Sequence, residues 1–339
     1  MKGTIAGVFA LCEANAFSRK LLLLSAAALS ASILPSTSHA QVTPTHGHQK
    51  LAEAFALDTA GHSEQAVAVA EKLLASGTLS RIEQADALDL EGMCYQQLDQ
   101  TDKAIHALES AQALLTPGDT RLEAAVLDNL GRVYVARGDL VIAEHLYERA
   151  FRLFEAADDH GGVARVSSNQ AKIALSEKKN RQARKYLERS DHEAKLATDL
   201  DKDDLGALAS MHAWLALNEG KAYDGVEAYR KALRLWTEFH GEHHPLTAWG
   251  TFLLGQAEAL NGQWAEGART MEKGLALIKD TVGDRCLRYL AGETAYARVL
   301  DQVGESVRAA QLRRDVRHKQ AEVMGTSCGN CTISVVALQ

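Results

Sequence analysis

The stretch LDNLGRVYVARGDLVIAEHLYERA, residues 127–150, reads as two helices folded back on each other. Leu127, Leu130 and Tyr134 recur at helical spacing, and so do Leu140, Ala143, Tyr147 and Ala150, which gives each half one apolar face. Gly138 stands between the halves, where a helix ending before a tight turn favours a residue tolerant of a left-handed backbone. Gly131 and Ala143, twelve positions apart, place one small side chain on each helix. Two helices that cross closely need small residues at the crossing, because larger ones wedge them apart.

The pattern repeats on both sides of this stretch. Ala66, Ala104, Ala143, Ala183, Gly225, Gly267 and Ala309 follow one another at intervals of 38, 39, 40, 42, 42 and 42 residues. Twelve residues before each stands Ala54, Gly92, Gly131, Ala171, Ala213, Gly255 or Ala297. Five residues before each lies Gly61, Asp99, Gly138, Lys178, Gly220, Gly262 or Gly304, most of them glycine as a turn requires. A spacing that drifts while the motif persists is the mark of stacked units joined by loops of varying length. Each hairpin leaves an apolar face that only a neighbour can cover. The chain is therefore expected to be all-α, a right-handed superhelical solenoid of about seven hairpins whose inner groove is lined by first helices. Arg308, Arg313, Arg314, Asp315, Arg317, His318 and Lys319 give the last unit a polar capping face.

The order of small residue, aromatic, turn glycine, alanine, aromatic and alanine in the third unit resembles the tetratricopeptide repeat (TPR). The second unit (Leu88, Gly92, Tyr95, Ala104, Leu108, Ala111, Pro117) and the fifth (Ala213, Gly220, Gly225, Tyr229, Ala232) follow it closely, while Lys178 and Arg313 depart from it. Gly241-Glu242-His243-His244-Pro245, followed by Thr247, resembles the inter-repeat loop of the kinesin-light-chain class, whose period is 42 residues. The resemblance covers about residues 49 to 324. It implies a non-enzymatic scaffold or adaptor that binds polypeptide segments.

Composition agrees with helices. Of 339 residues, 46% are hydrophobic, 6% aromatic and 24% charged, and there are 4 prolines. The formal net charge is −7, and the first 40 residues carry Lys2, Arg19 and Lys20 against Glu13, which leaves −9 for the remainder. Such an acidic chain without a basic stripe repels phosphate backbones, so nucleic acid is not an expected partner. Arg19 and Lys20 precede an apolar run from Leu21 to Leu34, and Ser38-His39-Ala40 closes it with small residues. That order is a secretory signal peptide, cleaved after about Ala40. The run is too short for a bilayer span. The expected organisation is a signal peptide over 1–40, a linker over 41–48, the solenoid over 49–324 and a tail over 325–339, in a periplasmic or secreted protein with no stable membrane span after cleavage.

In the kinesin-light-chain-like class, the resemblance implies that an Asn two residues before the small residue of the first helix contacts the bound backbone. Asn129 and Asn169 match that position; Leu90, Met211, Leu253 and Ala295 depart from it. A carboxamide donates and accepts at once, as a peptide bond does. Arg132, Arg165 and Lys172 lie on the same expected face and would favour an acidic segment or a chain carboxylate. The alternative places these charges in intramolecular pairs with partners such as Asp128. Trp214, Trp249 and Phe252 fall on first helices, as groove lining or as core.

No nucleophile and base arrangement, phosphate-cradling loop or HExxH pattern is present, so neither catalysis nor a cofactor is expected. The histidines, including His240, His243 and His244, lack zinc-ligand spacing, and no metal is expected. Cys328 and Cys331 form a CxxC pair before a β-branched run, read as a candidate disulfide, with thiol-disulfide or shared-metal activity as the alternative. Cys94 and Cys286 read as buried small residues. A purely structural assembly role is the remaining alternative.

Overall fold

Fourteen helices run in antiparallel pairs through the part of the chain that the computed structural model describes, residues 46–326. The hairpins are α1 (His46–Thr59) with α2 (Ser63–Ala75), α3 (Arg81–Gln97) with α4 (Thr101–Leu114), and α5 (Thr120–Arg137) with α6 (Leu140–Ala156). They continue with α7 (His160–Ser176) and α8 (Asn180–Leu196), α9 (Lys202–Asn218) and α10 (Ala222–His240), α11 (Pro245–Leu260) and α12 (Trp264–Val282), and α13 (Leu287–Gln302) and α14 (Ser306–Thr326). Each helix packs on the one before it and the one after it. Residues 1–40, expected to form a signal peptide, and the CxxC pair of Cys328 and Cys331 lie outside the described residues. Helix α1 already includes residues 46–48, which were expected in the linker.

The turns explain why hairpins form. Gly61, Gly138, Gly220, Gly262 and Gly304 all have positive φ, from 77° to 92°. Asp99 and Lys178, the two substitutions in this series, adopt the same left-handed backbone at φ 56° and 59°. At the third unit the amide of Gly138 bonds the carbonyl of Val135 at 3.1 Å, and that of Asp139 bonds Tyr134 at 2.9 Å, which uses carbonyls a helix end would otherwise leave free. The backbone conformation is therefore kept in all seven units although the residue type is not.

All fourteen small anchor residues are buried. In the sixth unit the two helices meet backbone to backbone. A Cβ on Gly255 would stand 2.5 Å from the backbone nitrogen of Met271 and 2.8 Å from the carbonyl oxygen of Gly267. On Gly267 it would stand 2.5 Å from the Gly255 carbonyl oxygen. In the third unit the space over Gly131 holds the ring of Tyr147, 2.5 Å from where a Cβ would be. Around these crossings Trp214, Trp236, Tyr147, Tyr229, Phe154 and Phe252 are fully buried. Among the described residues no helix is long and apolar enough to cross a membrane.

Neighbour stacking is not the whole architecture. Thr59, at the end of α1, meets His240, at the end of α10, so the row of units curls round until the first reaches the end of the fifth, where the chain turns into the sixth.

Gly255→Ala tests the crossing. Helix propensity alone favours Ala by about 1 kcal/mol. Because the obstacle is backbone, the substitution is expected instead to lower stability by about 1–3 kcal/mol in denaturant unfolding.

Candidate functional site

A seam of buried carboxylates crosses the first helices of the N-terminal units, and each carboxylate is held by a carboxamide from the next unit. Gln97 Nε2 donates to Asp58 Oδ1 at 2.5 Å, Asn129 Nδ2 to Asp89 Oδ1 at 2.8 Å, and Asn169 Nδ2 to Asp128 Oδ1 at 2.9 Å. The partners are 39, 40 and 41 residues apart, one repeat in every case. Asp89 and Asp128 stand three residues before their small anchors, and Asn129 and Asn169 stand two before theirs. The shared register places each pair side by side where successive first helices touch. Met211 occupies the Asn position of the fifth unit and has no donor, so this series of bonds stops there.

Asn129, Arg132, Arg165 and Asn169, all expected to grip a ligand, join this seam through contacts with one another or with acids. Arg132 donates to Asn129 Oδ1 at 2.9 Å and to Gln96 Oε1 at 3.1 Å. Arg165 pairs with Asp199 at 3.5 Å and Asp204 at 3.6 Å, on the side of the fifth unit. Lys172, one turn beyond Asn169 on α7, is buried. Exposure separates the five: Asn129 retains 1%, Arg132 6% and Lys172 8%, whereas Asn169 and Arg165 are half-buried and reach solvent. The cations share the seam with Asp86, Asp89, Asp128 and Asp204, so charges of both signs meet there. Its signal was legible as an Asp three before one anchor and an Asn two before the next.

Burial shifts the acids. It raises Asp128 to about 6, with the charge of Arg132 and the bond from Asn169 pulling the other way. It raises Asp86 to about 7, reinforced by the charges of Asp89 and Glu83. Glu91 and Asp204 reach about 7 for the same first cause. An acid whose folded pKa lies above its unfolded value favours the protonated native state. Its cost to stability is absent below about pH 4, grows through the interval up to about pH 7, and is complete above it.

The other candidates lie elsewhere. Trp214, Trp249 and Phe252 are core residues, and the rings of Trp249 and Phe252 stack at 4.9 Å. Cys94 is buried and its thiol faces Asp58, while Cys286 Sγ accepts the amide of Tyr289 at the start of α13. Among the described residues no group of three or more His, Cys, Asp or Glu is placed to hold a metal ion.

A family model described as tetratricopeptide repeat matches residues 83–156, 122–190 and 205–280. Among curated proteins there is no match. Among solved structures, a Rap protein complexed with competence and sporulation factor superposes with a TM-score of 0.61 at 15% identity, covering 82% of this chain and 77% of that one. The Cut9–Hcn1 hetero-tetramer of APC/C gives 0.51 at 14% identity, with 87% and 56% covered. BtubC (BKLC) from P. vanneervenii gives 0.46 at 15% identity, with 70% and 93% covered. At these identities the likeness concerns the fold.

Two substitutions test the seam. Asn129→Ala removes the carboxamide bond to the buried Asp89 carboxylate and is expected to cost about 1–3 kcal/mol of stability, read by denaturant unfolding. Asp86→Asn is expected to raise Tm at pH 8 by about 2–4 °C for each kcal/mol of penalty it removes, and to bring no gain at pH 4, where the native carboxyl is already neutral.

Proposed function

We propose a polypeptide-holding role from the premise that this chain belongs to the tetratricopeptide repeat family. It is a non-catalytic scaffold whose inner first helices receive a segment of another protein. What supports the reading is the division of labour within the seam. Asn129, Arg132 and Lys172 are committed to the interior, and Asn169 and Arg165 keep a solvent-facing portion beside them. The Asn169 carboxamide, anchored through its nitrogen to Asp128, has its carbonyl oxygen left to accept from a backbone amide. Arg165, which pairs with Asp199 and Asp204 at distances longer than an ideal ion pair, is the cation that a ligand carboxylate would meet beside Asn169.

The setting proposed for this role is outside the cytosol. It rests on the charged, apolar and small-residue order of residues 1–40. The finer assignment to the kinesin-light-chain class rests on the Gly241–Pro245 loop and the 42-residue intervals of the last units.

The test is affinity capture with mass spectrometry, using residues 41–339 and the Asn169→Ala, Arg165→Ala double variant side by side. Segments held by the native chain are expected to bind the variant about a hundredfold more weakly, the loss of roughly one charged and one neutral hydrogen bond. Equal retention of every captured segment would overturn this placement of the site.

A further inference from the structure

The two ends of the solenoid meet at a pair of contacts with the same form. The carbonyl oxygen of Thr59 lies 3.2 Å from Nδ1 of His240, and a Cβ on Gly61 would lie 3.1 Å from the His244 ring and 3.3 Å from Pro245. One unit further along on both sides, Arg288 donates to the carbonyl of Gln96 at 3.4 Å and pairs with Asp99 at 3.4 Å. In each case the turn inside a hairpin, in units one and two, sits on the entry to a first helix, in units six and seven. The contacts join residues 181 and 192 positions apart. A row of hairpins can do this only by completing one turn in five units, so that one rim of the early units rests on the opposite rim of the late ones.

The late side of the contact is built rigidly. His240 Nε2 lies 2.9 Å from Asp203 Oδ1, with both side chains excluded from solvent. The His240 ring stacks on His244 at 3.8 Å and 7°. His244 Nδ1 accepts the amide of Leu246 and so caps α11, with Pro245 at its first position. The Gly241–Pro245 loop, singled out by its sequence, is thus the platform on which the first unit lands.

The bond between the rims is thin by comparison. It includes a carbonyl on an imidazole, a turn glycine against a ring, and a guanidinium pair with a partly exposed partner on each side. Such pairs contribute little in water, whereas stacked neighbours are held by continuous apolar burial. Separating the rims is therefore far easier than separating any two units, as expected of a low-energy local opening.

We propose that this contact is a releasable clasp, which closes the superhelix on itself and whose opening admits a polypeptide to the inner first helices. The admission step rests on the polypeptide-holding reading; the clasp itself does not. Arg288→Glu sets a carboxylate against Asp99 and the Gln96 carbonyl. Asp99→Lys with Arg288→Glu restores the pair in reverse, and Lys178 already shows that lysine fits this left-handed turn position.

The expected result for Arg288→Glu is a larger radius of gyration by X-ray scattering and lost hydrogen-exchange protection over residues 59–62 and 96–100, with helix content by circular dichroism unchanged. The reversed pair should return all three to native values. Scattering and exchange unchanged in the single variant would overturn the clasp. Should Arg288→Glu lose its helix content, the Asp99→Cys, Arg288→Cys variant decides instead. A short bis-maleimide should link the two positions within one chain, as assigned by mass spectrometry, and failure to link would equally overturn the clasp. Linked protein should also lose capture of segments that the unlinked protein holds. Undiminished capture by linked protein would overturn the gating while leaving the clasp in place, and absence of capture by the native chain would count against the polypeptide-holding reading alone.

Discussion

Everything in this protein depends on two helices being able to touch backbone to backbone. At Gly255 and Gly267 the contact leaves no room for a methyl group, and the carbonyl of one helix faces the space over the glycine of the other. That proximity sets how flat each hairpin is. Flat hairpins can stack on both faces, and stacking on both faces is the only way each can bury an apolar surface that its own two helices do not cover. Where the crossing residue is Gly131 instead, the ring of Tyr147 fills the gap, so one rule is met by backbone in one unit and by an aromatic ring in another.

Stacking brings the first helices together, and here the chain does something less expected of an apolar solenoid. It buries Asp58, Asp89 and Asp128 between units. A lone buried carboxylate is costly, and the cost is met by a carboxamide from the following repeat and by the nearby charges of Arg132 and Arg165. The bonds are directional and span one repeat, so they favour one register between neighbouring units where apolar packing alone would tolerate sliding. The suppressed ionisation of Asp128 and Asp86, whose carboxyls burial holds above the usual range, is what remains of that compromise. The polar groups that remain open to solvent, on Asn169 and Arg165, are the margin of a structural seam and gain their fixed geometry from it.

Curvature then links local packing to access. Because the row closes through Thr59 on His240 and Arg288 on Asp99, the inner helices of the early units belong to a ring in addition to a stack. A purely linear array would transmit a disturbance only from neighbour to neighbour. Closure couples the first unit to the sixth directly, through contacts much weaker than those that hold either unit together.

The sequence by itself determined the hairpin, its number of copies and the all-α tetratricopeptide architecture, since small anchors twelve apart, a left-handed turn between them and a drifting 38–42-residue interval are all properties of residues close together in the chain. It even marked Asn129, Asn169 and the Gly241–Pro245 loop as unusual. Tertiary structure decided what those residues touch. Whether an Asn faces a ligand or the Asp of the preceding unit depends on the offset between stacked helices, and whether Trp214 and Trp249 line a groove or fill a core depends on how tightly the row curves. The meeting of Gly61 with His244 was beyond any local pattern, because it sums small rotations over five successive units and exists only once all of them are in place.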